Sequence, residues 1–325
     1  GPVGDAQAPL SVTWQGASLL QQSEKKFALF KGNVKAVSEE HRLEGETVRV
    51  DLTDRMSPST IEVTGNAVID VTAPQEARPT EETEEGAAGP LEGADRWRLT
   101  GKRYLINTVK DGVSTDSAGT LTMFYRDALQ GTLTWDGSME LDMSKNSATF
   151  TDDVVARTAA GNVMGQKLTM QFGIDKETGR RSIKQIGLEE EVRFEGTDEH
   201  PLDLAADSAL AIFNEGNRLS QLIAHDDVVL QDRERKMTAG RLVLKFDRVE
   251  DPEGKKSLAV VSAAAEEDVS ITYQNKNIEA GADRVDWNRT VDSYTLTGDP
   301  AWILRGGLRS QGKTLTYYGP TGEER

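Results

Sequence analysis

The chain has 325 residues, a formal net charge of −16, 30 glycines, three histidines and no cysteine. The missing cysteine excludes disulfides, a thiolate nucleophile and Cys-ligated metal centres. The acid excess disfavours nucleic acid as a partner, because phosphate binding needs a basic face. The longest apolar stretch, residues 258–265, is far shorter than the roughly 20 residues of a membrane-spanning helix. Gly1-Pro2 is typical of a cleaved tag, so we expect an export signal or anchor to have been removed.

Apolar and polar residues alternate along most of the chain. The clearest runs, in chain order, are residues 48–52, 121–125, 168–172 and 242–246. Alternation with a period of two, bounded by Gly, Asn and Asp, predicts half-buried strands. Residues 205–214 fit a strand and an amphipathic helix equally well. The sequence therefore predicts an all-β chain.

Two polar segments interrupt the alternation. Residues 73–94 contain three prolines and six glutamates, so they cannot offset their ordering entropy by burial and are predicted to form a mobile acidic insertion. Residues 247–256 predict a shorter polar turn. We therefore expect three β regions, at 10–72, 95–200 and 201–320, that form one continuous body. The insertion lies between the first region and the second.

One spacing recurs four times. An apolar anchor is followed eleven residues later by a small residue and then by an alternating apolar strand. The pairs are Val34 with Gly45, Val154 with Gly165, Val228 with Ala239, and Ala301 with Gly312. Each block predicts a strand, a turn and a strand that cannot bury its apolar face alone, so the blocks are expected to stack around one apolar interior. Chance alternation in an ordinary sheet is the alternative, and the constant position of the small residue favours a repeat.

Acidic pairs recur beside the apolar anchors, at residues 152–153, 226–227 and 267–268. Such pairs could be metal ligands or catalytic carboxylates. Their recurrence at one position favours solvent-exposed strand starts instead, since charged residues usually stay exposed. We therefore predict neither a metal site nor catalytic residues.

The C-terminal region resembles a known repeat. Residues 282–287, 294–301 and 312–317 are similar to the three strands of the OstA-type repeat found in the lipopolysaccharide-transport (Lpt) proteins of the Gram-negative periplasm, and residues 30–52, 150–172 and 203–246 resemble parts of it. The resemblance implies an elongated open β-jellyroll, a folded sheet whose two walls enclose an apolar groove for acyl chains. It also implies a periplasmic location, lipopolysaccharide or a related lipid as ligand, and other Lpt-type jellyrolls as partners through end-to-end strand pairing.

The inward apolar residues of the blocks are the candidate groove lining. They are Val34, Val48, Val50, Leu168, Met170, Phe172, Val228, Leu242, Leu244, Phe246, Leu315 and Tyr317. A closed sandwich needs the same inward apolar stripe, so packing of a plain core is the alternative. Only an opening between the walls separates the two interpretations.

Other motifs give weaker hypotheses. Residues 307–314 match the Walker A pattern, but a strand and a turn follow where a phosphate-binding loop would need a helix, so no nucleotide or other cofactor is predicted. His225 is expected to be an ordinary exposed or satisfied histidine. The leading hypothesis is a non-enzymatic lipid carrier or bridge. A structural β-solenoid or sandwich protein is the second hypothesis, and a β-solenoid carbohydrate enzyme, disfavoured by the 6% aromatic content, is the third.

Overall fold

A computed structural model describes residues 11–21, 25–38, 41–72, 96–125, 127–158, 161–174, 181–197, 202–214, 218–250, 254, 256–273 and 276–318. Every regular element among these residues is a β-strand, which confirms the predicted all-β class. No helix in the described part of the chain has the length and apolar character needed to cross a membrane. The predicted insertion at 73–94 lies outside the described residues.

The chain divides into two compact units, with the described residues up to Ala156 in unit 1 and those from Arg157 in unit 2. The strands that begin in unit 1 are β1 (Ser11–Thr13), β2 (Ser18–Gln21), β3 (Phe27–Val37), β4 (His41–Leu52), β5 (Pro58–Thr72), β6 (Arg96–Asn107), β7 (Gly112–Thr115), β8 (Gly119–Tyr125), β9 (Ala128–Trp135), β10 (Met139–Asp142) and β11 (Ser147–Thr158).

The strands of unit 2 are longer. They are β12 (Gly161–Ile174), β13 (Arg181–Gly196), β14 (Asp203–Phe213), β15 (Leu219–Gln231), β16 (Arg235–Glu250), β17 (Lys256–Tyr273), β18 (Ile278–Asn288), β19 (Ser293–Arg305) and β20 (Leu308–Tyr318). Each pairs antiparallel with the next along the chain. The ambiguous residues 205–214 thus belong mainly to a strand, β14. Residues 247–250 and 256 of the predicted polar turn belong to β16 and β17, and residues 251–253 and 255 lie outside the described residues.

The paired long strands bend at β-bulges near their middle. Between β15 and β16, His225 pairs with Arg241 and Val228 with Ala239, so residues 226 and 227 together oppose Gly240. Two residues opposite one form a bulge, which bends the strand. The bulged residues have the positive φ angles that Asp and Asn tolerate better than most residues. They are Asn33, Asn66, Asp152, Asp153, Glu190, Glu191, Asp226, Asp227, Glu267 and Asp268.

These bulges correct one prediction and explain another. The acidic pairs are not strand starts, because each lies inside a strand, in β11, β15 and β17. They stay exposed because the bend turns them away from the interior. The eleven-residue spacing reflects direct pairing across a hairpin, since Val34 faces Gly45, Val228 faces Ala239 and Ala301 faces Gly312.

The bends fold the sheet of unit 2 into two walls. In a flat sheet Arg235 of β16 and Tyr294 of β19 would be roughly 35 Å apart, given the spacing of strands and of residues along them. Their side chains are instead hydrogen-bonded at 2.8 Å. Residues on both sides of the bend, such as Ala239 and Leu242, belong to one buried apolar cluster. The interior of this unit therefore lies between the two halves of the same strands.

The interior of unit 1 contains large aromatic side chains. Tyr104, Trp135 and Phe150 are all buried, and the Trp135 and Phe150 rings lie 5.1 Å apart. The indole Nε1 of Trp135 donates to the carbonyl oxygen of Ser117 at 3.1 Å. Glycine at position 119 makes room for this ring, because a Cβ there would overlap it. These aromatic side chains therefore fill the interior of unit 1.

Candidate apolar binding surface

In unit 2 the inward residues line up in rows across successive strands. The row next to the bend, which we call the bend row, is apolar over nine strands. Its members are Leu168, Leu188, Ala209, Ala224, Leu242, Ala265, Val285, Leu296 and Leu315. All except Leu315, on the last strand, are buried. The part of the interior nearest the bend is thus a packed core.

Two residues further from the bend on the same wall runs a second inward row, which we call the mouth row. Its members are Met170, Ile186, Ala211, Leu222, Leu244, Ala263, Trp287, Tyr294 and Tyr317. Met170 and Leu244 are buried, whereas the other seven are half-buried. Beyond this row, Phe172, Phe246 and Val260 are half-buried as well. Exposure therefore increases with distance from the bend while the surface stays apolar.

The facing wall shows the same trend. Its inward row is Phe194, Leu204, Leu230, Met237, Ile271, Ala280 and Ile303. Leu204, Ile271 and Ala280 are buried, and the other four members are half-buried and pack against the core. Both walls thus present partly exposed apolar side chains toward the space between them.

The twelve residues predicted from the sequence fall into two classes of burial. Seven are buried, namely Val34, Val48, Leu168, Met170, Val228, Leu242 and Leu244, whereas Val50, Phe172, Phe246, Leu315 and Tyr317 are half-buried. Val34, Val48 and Val50 lie in unit 1, and the other nine share the interior of unit 2. A ligand that enters between the walls of unit 2 would reach the half-buried residues first.

A polar cluster joins the two walls. The Arg235 guanidinium donates through Nε to Asp232 at 2.8 Å and through Nη1 to the Tyr294 hydroxyl at 2.8 Å. Burial opposes the charge on Arg235, but the bonds to Asp232 and the neighbouring tyrosines outweigh it and raise the arginine pKa. Burial, followed by a hydrogen bond with Tyr294, raises the pKa of Tyr273, so its hydroxyl keeps its proton.

Sequence reasoning missed this cluster. Tyr294 lies in the segment that resembles the repeat, but nothing in the sequence connects it with Arg235, 59 residues earlier. Trp287 and Tyr317 flank Tyr294 in the mouth row, with ring centroids 6.4 and 6.5 Å from that of Tyr294. The mouth row is therefore aromatic on its last three strands and aliphatic on the six before them.

A shallow depression of about 300 Å³ lies on the outward face of β16–β19. Its lining mixes the polar or charged side chains of Lys245, Ser262, Arg284, Asp286 and Thr295 with apolar residues such as Val243 and Ala264. It is therefore not a continuous apolar surface like the inward rows.

The remaining sequence motifs do not assemble a reactive site. Residues 308–314 of the Walker-like motif lie in strand β20, so no helix follows the glycines. His225 is exposed beside the bulge at residues 226–227. No group of three or more potential metal-ligating side chains comes together within the described ranges. The apolar rows of unit 2 are therefore the best candidate for a functional surface.

No family model matches the chain, and no curated protein matches it. One solved structure that is similar to parts of the chain is LptH from Pseudomonas aeruginosa, described as the LptA homologous periplasmic component of the lipopolysaccharide transport device. The identity is 11%, the TM-score is 0.24, and the match covers 51% of this chain and 77% of LptH.

Proposed function

We propose that the chain is a non-enzymatic lipid-binding protein of the Gram-negative periplasm, which holds acyl chains between the walls of unit 2. The supporting observation is the mouth row, where apolar side chains on nine successive strands stay largely half-buried. Folding alone would favour complete burial of such residues, at about 25 cal/mol per Å² of apolar surface. Acyl chains would cover the surface that the protein leaves exposed.

The proposed ligand is lipopolysaccharide or a related lipid, as the resemblance to the OstA-type repeat implies. A row of equivalent apolar positions suits a carrier or bridge, because weak repeated contacts let a chain slide where one deep pocket would hold it. The proposed partners are other Lpt-type jellyrolls. In support, β20 pairs only with β19 among the described strands, so its outer edge can accept a further strand.

A photo-crosslinking experiment tests this function with two adjacent positions on opposite faces of β16. Phe246 points inward and is half-buried, whereas Lys245 is exposed on the outward face. With a photoreactive amino acid at each position in turn, and lipopolysaccharide added to the purified protein, we expect adducts at position 246 and none at 245. Adducts at 245 alone, or equally at both positions, would contradict lipid binding between the walls.

A structural β protein with a closed interior is the second candidate. The bend row favours it, because eight of its nine residues are buried without a ligand. Native mass spectrometry of gently purified protein separates the two functions. Lipid-sized mass additions support the carrier, and their absence together with absent adducts at position 246 supports the structural protein.

A further inference from the structure

The chemistry of the interior changes at one end of unit 2. Along the mouth row, six aliphatic residues on β12–β17 give way to Trp287, Tyr294 and Tyr317 on β18–β20. On the facing wall, strand register places Arg235, Tyr273, Ile278 and Arg305 side by side. Ile278 is buried, so this row faces the interior. An otherwise aliphatic space thus ends in aromatic rings, hydroxyls and guanidinium groups.

The local charge is opposite to that of the whole chain. The chain carries −16, yet Arg235, Arg305 and Lys276 gather at this end. The Lys276 ammonium lies 5.9 Å from the centre of the Tyr273 ring. Asp232 is the carboxylate paired with Arg235, so the group keeps a net positive charge. We call Arg235, Tyr273, Lys276, Tyr294 and Arg305 the cationic lip.

Arg235 keeps one N–H donor for a further acceptor. A guanidinium carries five N–H groups. Asp232 and Tyr294 take three of them, and Tyr273 accepts a fourth. The remaining N–H can donate to a phosphate oxygen, and a charge-assisted bond of this kind is stronger than a neutral one. The Tyr294 hydroxyl accepts from Arg235 and still has its own O–H to donate to the same phosphate.

We propose that the cationic lip binds the phosphate headgroup of an anionic amphiphile whose acyl chains lie against the adjoining aliphatic rows. This inference rests on the proposed function, because it assigns the headgroup end of the same ligand. It also gives the ligand a direction, with its phosphate where Arg235 of β16 meets Tyr294 of β19 and its chains toward β12–β15. Phosphate recognition would explain why an acidic protein places three cations at the edge of an apolar space.

The experiment uses two amphiphiles with the same chain and different headgroups, dodecyl phosphate and dodecyl maltoside. Each displaces the apolar fluorophore N-phenyl-1-naphthylamine from the purified full chain, below the micelle concentration of either amphiphile. We expect the wild type to prefer dodecyl phosphate by about tenfold, as a charge-assisted contact would give. Arg235→Gln should remove most of this preference, and Tyr294→Phe should lower it by about threefold, because that change deletes one hydroxyl.

Arg309→Gln is the matched control. Arg309 lies on the same end of unit 2, but on the outward face, where its guanidinium stacks on Trp302 at 4.8 Å. Arg309→Gln removes the same charge as Arg235→Gln. If this variant keeps the preference for dodecyl phosphate, the loss in Arg235→Gln comes from a local contact and not from a general loss of positive charge. Tyr294→Phe preserves packing, so it still tests the lip if Arg235→Gln fails to fold.

The outcomes separate this inference from the function on which it rests. If both amphiphiles bind equally well to the wild type, or if Arg235→Gln and Tyr294→Phe keep the phosphate preference, the cationic lip is wrong while lipid binding stands. If neither amphiphile displaces the fluorophore, the proposed function fails. If inorganic phosphate alone competes as strongly as dodecyl phosphate, the site recognises free phosphate and the headgroup assignment is overturned.

Discussion

The two units fill their interiors differently. In unit 1 the aromatic residues Tyr104, Trp135 and Phe150 are buried at the centre of the fold. In unit 2 no aromatic residue of the described strands is buried, and residues such as Phe246 and Tyr294 stand half-exposed farther from the bend. The buried apolar side chains there are Ala, Val, Leu and Ile, together with Met170. Unit 1 thus closes its core with three aromatic side chains, whereas all the aromatic residues on the described strands of unit 2 stay at least partly exposed.

The strands differ in the same sense. In unit 1 the strands β7 and β8 are short, and each pairs with a different part of β6. In unit 2 the strands run through their bulges without interruption. The Trp135 ring lies opposite Gly119, where a Cβ would overlap it. The two interiors therefore differ both in the size of their buried side chains and in the continuity of their strands.

The largest expected effect comes from emptying the core of unit 1. Trp135→Ala should lower the free energy of unfolding by about 3–5 kcal/mol, because it leaves a cavity in a closed core. Trp287→Ala, at a half-buried position in unit 2, should cost only about 1–2 kcal/mol. Urea denaturation followed by circular dichroism measures both. Equal losses would break the distinction between a closed and a partly open interior.

A smaller effect should follow from adding one methyl group. Gly119→Ala places a Cβ into the Trp135 ring and within 2.9 Å of the Tyr104 hydroxyl, so we expect a loss of about 1–3 kcal/mol from overpacking. Gly187→Ala in unit 2 is the control, since no heavy atom lies within 4 Å of its Cβ position. It should be neutral or stabilise the strand by up to about 1 kcal/mol. Thermal unfolding measures the stability of both variants. Equal losses would contradict the difference in packing between position 119 and position 187.

The smallest effect concerns the bulges, where unit 1 has Asn33 and Asn66 as well as Asp152 and Asp153, whereas unit 2 has acidic pairs. Asp227 has a φ of +49°, so Asp227→Val should cost about 1–2 kcal/mol because a branched side chain resists that conformation. Asp227→Asn should change stability by less than about 0.5 kcal/mol. If the Asn variant were as unstable as the Val variant, the negative charge and not the backbone conformation would explain the acidic residue.

Several features of the fold could be predicted from sequence because they depend on local periodicity. Alternation at residues 168–172 and 242–246 correctly placed strands and their inward faces. The eleven-residue spacing between Val228 and Ala239 predicted a strand, a turn and a strand, and the structure shows that these two residues pair across the hairpin. The acidic pairs were misplaced because a mid-strand bulge and an exposed strand start share the same residue types.

What the sequence determined by itself was the β class, the inward side of each strand and the lack of cysteine chemistry, since these follow from composition and a period of two. Only the tertiary structure decided which inward residues are buried and which stay half-exposed. Exposure depends on the distance of a residue from the bend, and the alternation of apolar and polar residues does not reveal where the bend lies. The tertiary structure alone brought Arg235 to Tyr294, since bulges on intervening strands fold one wall over the other.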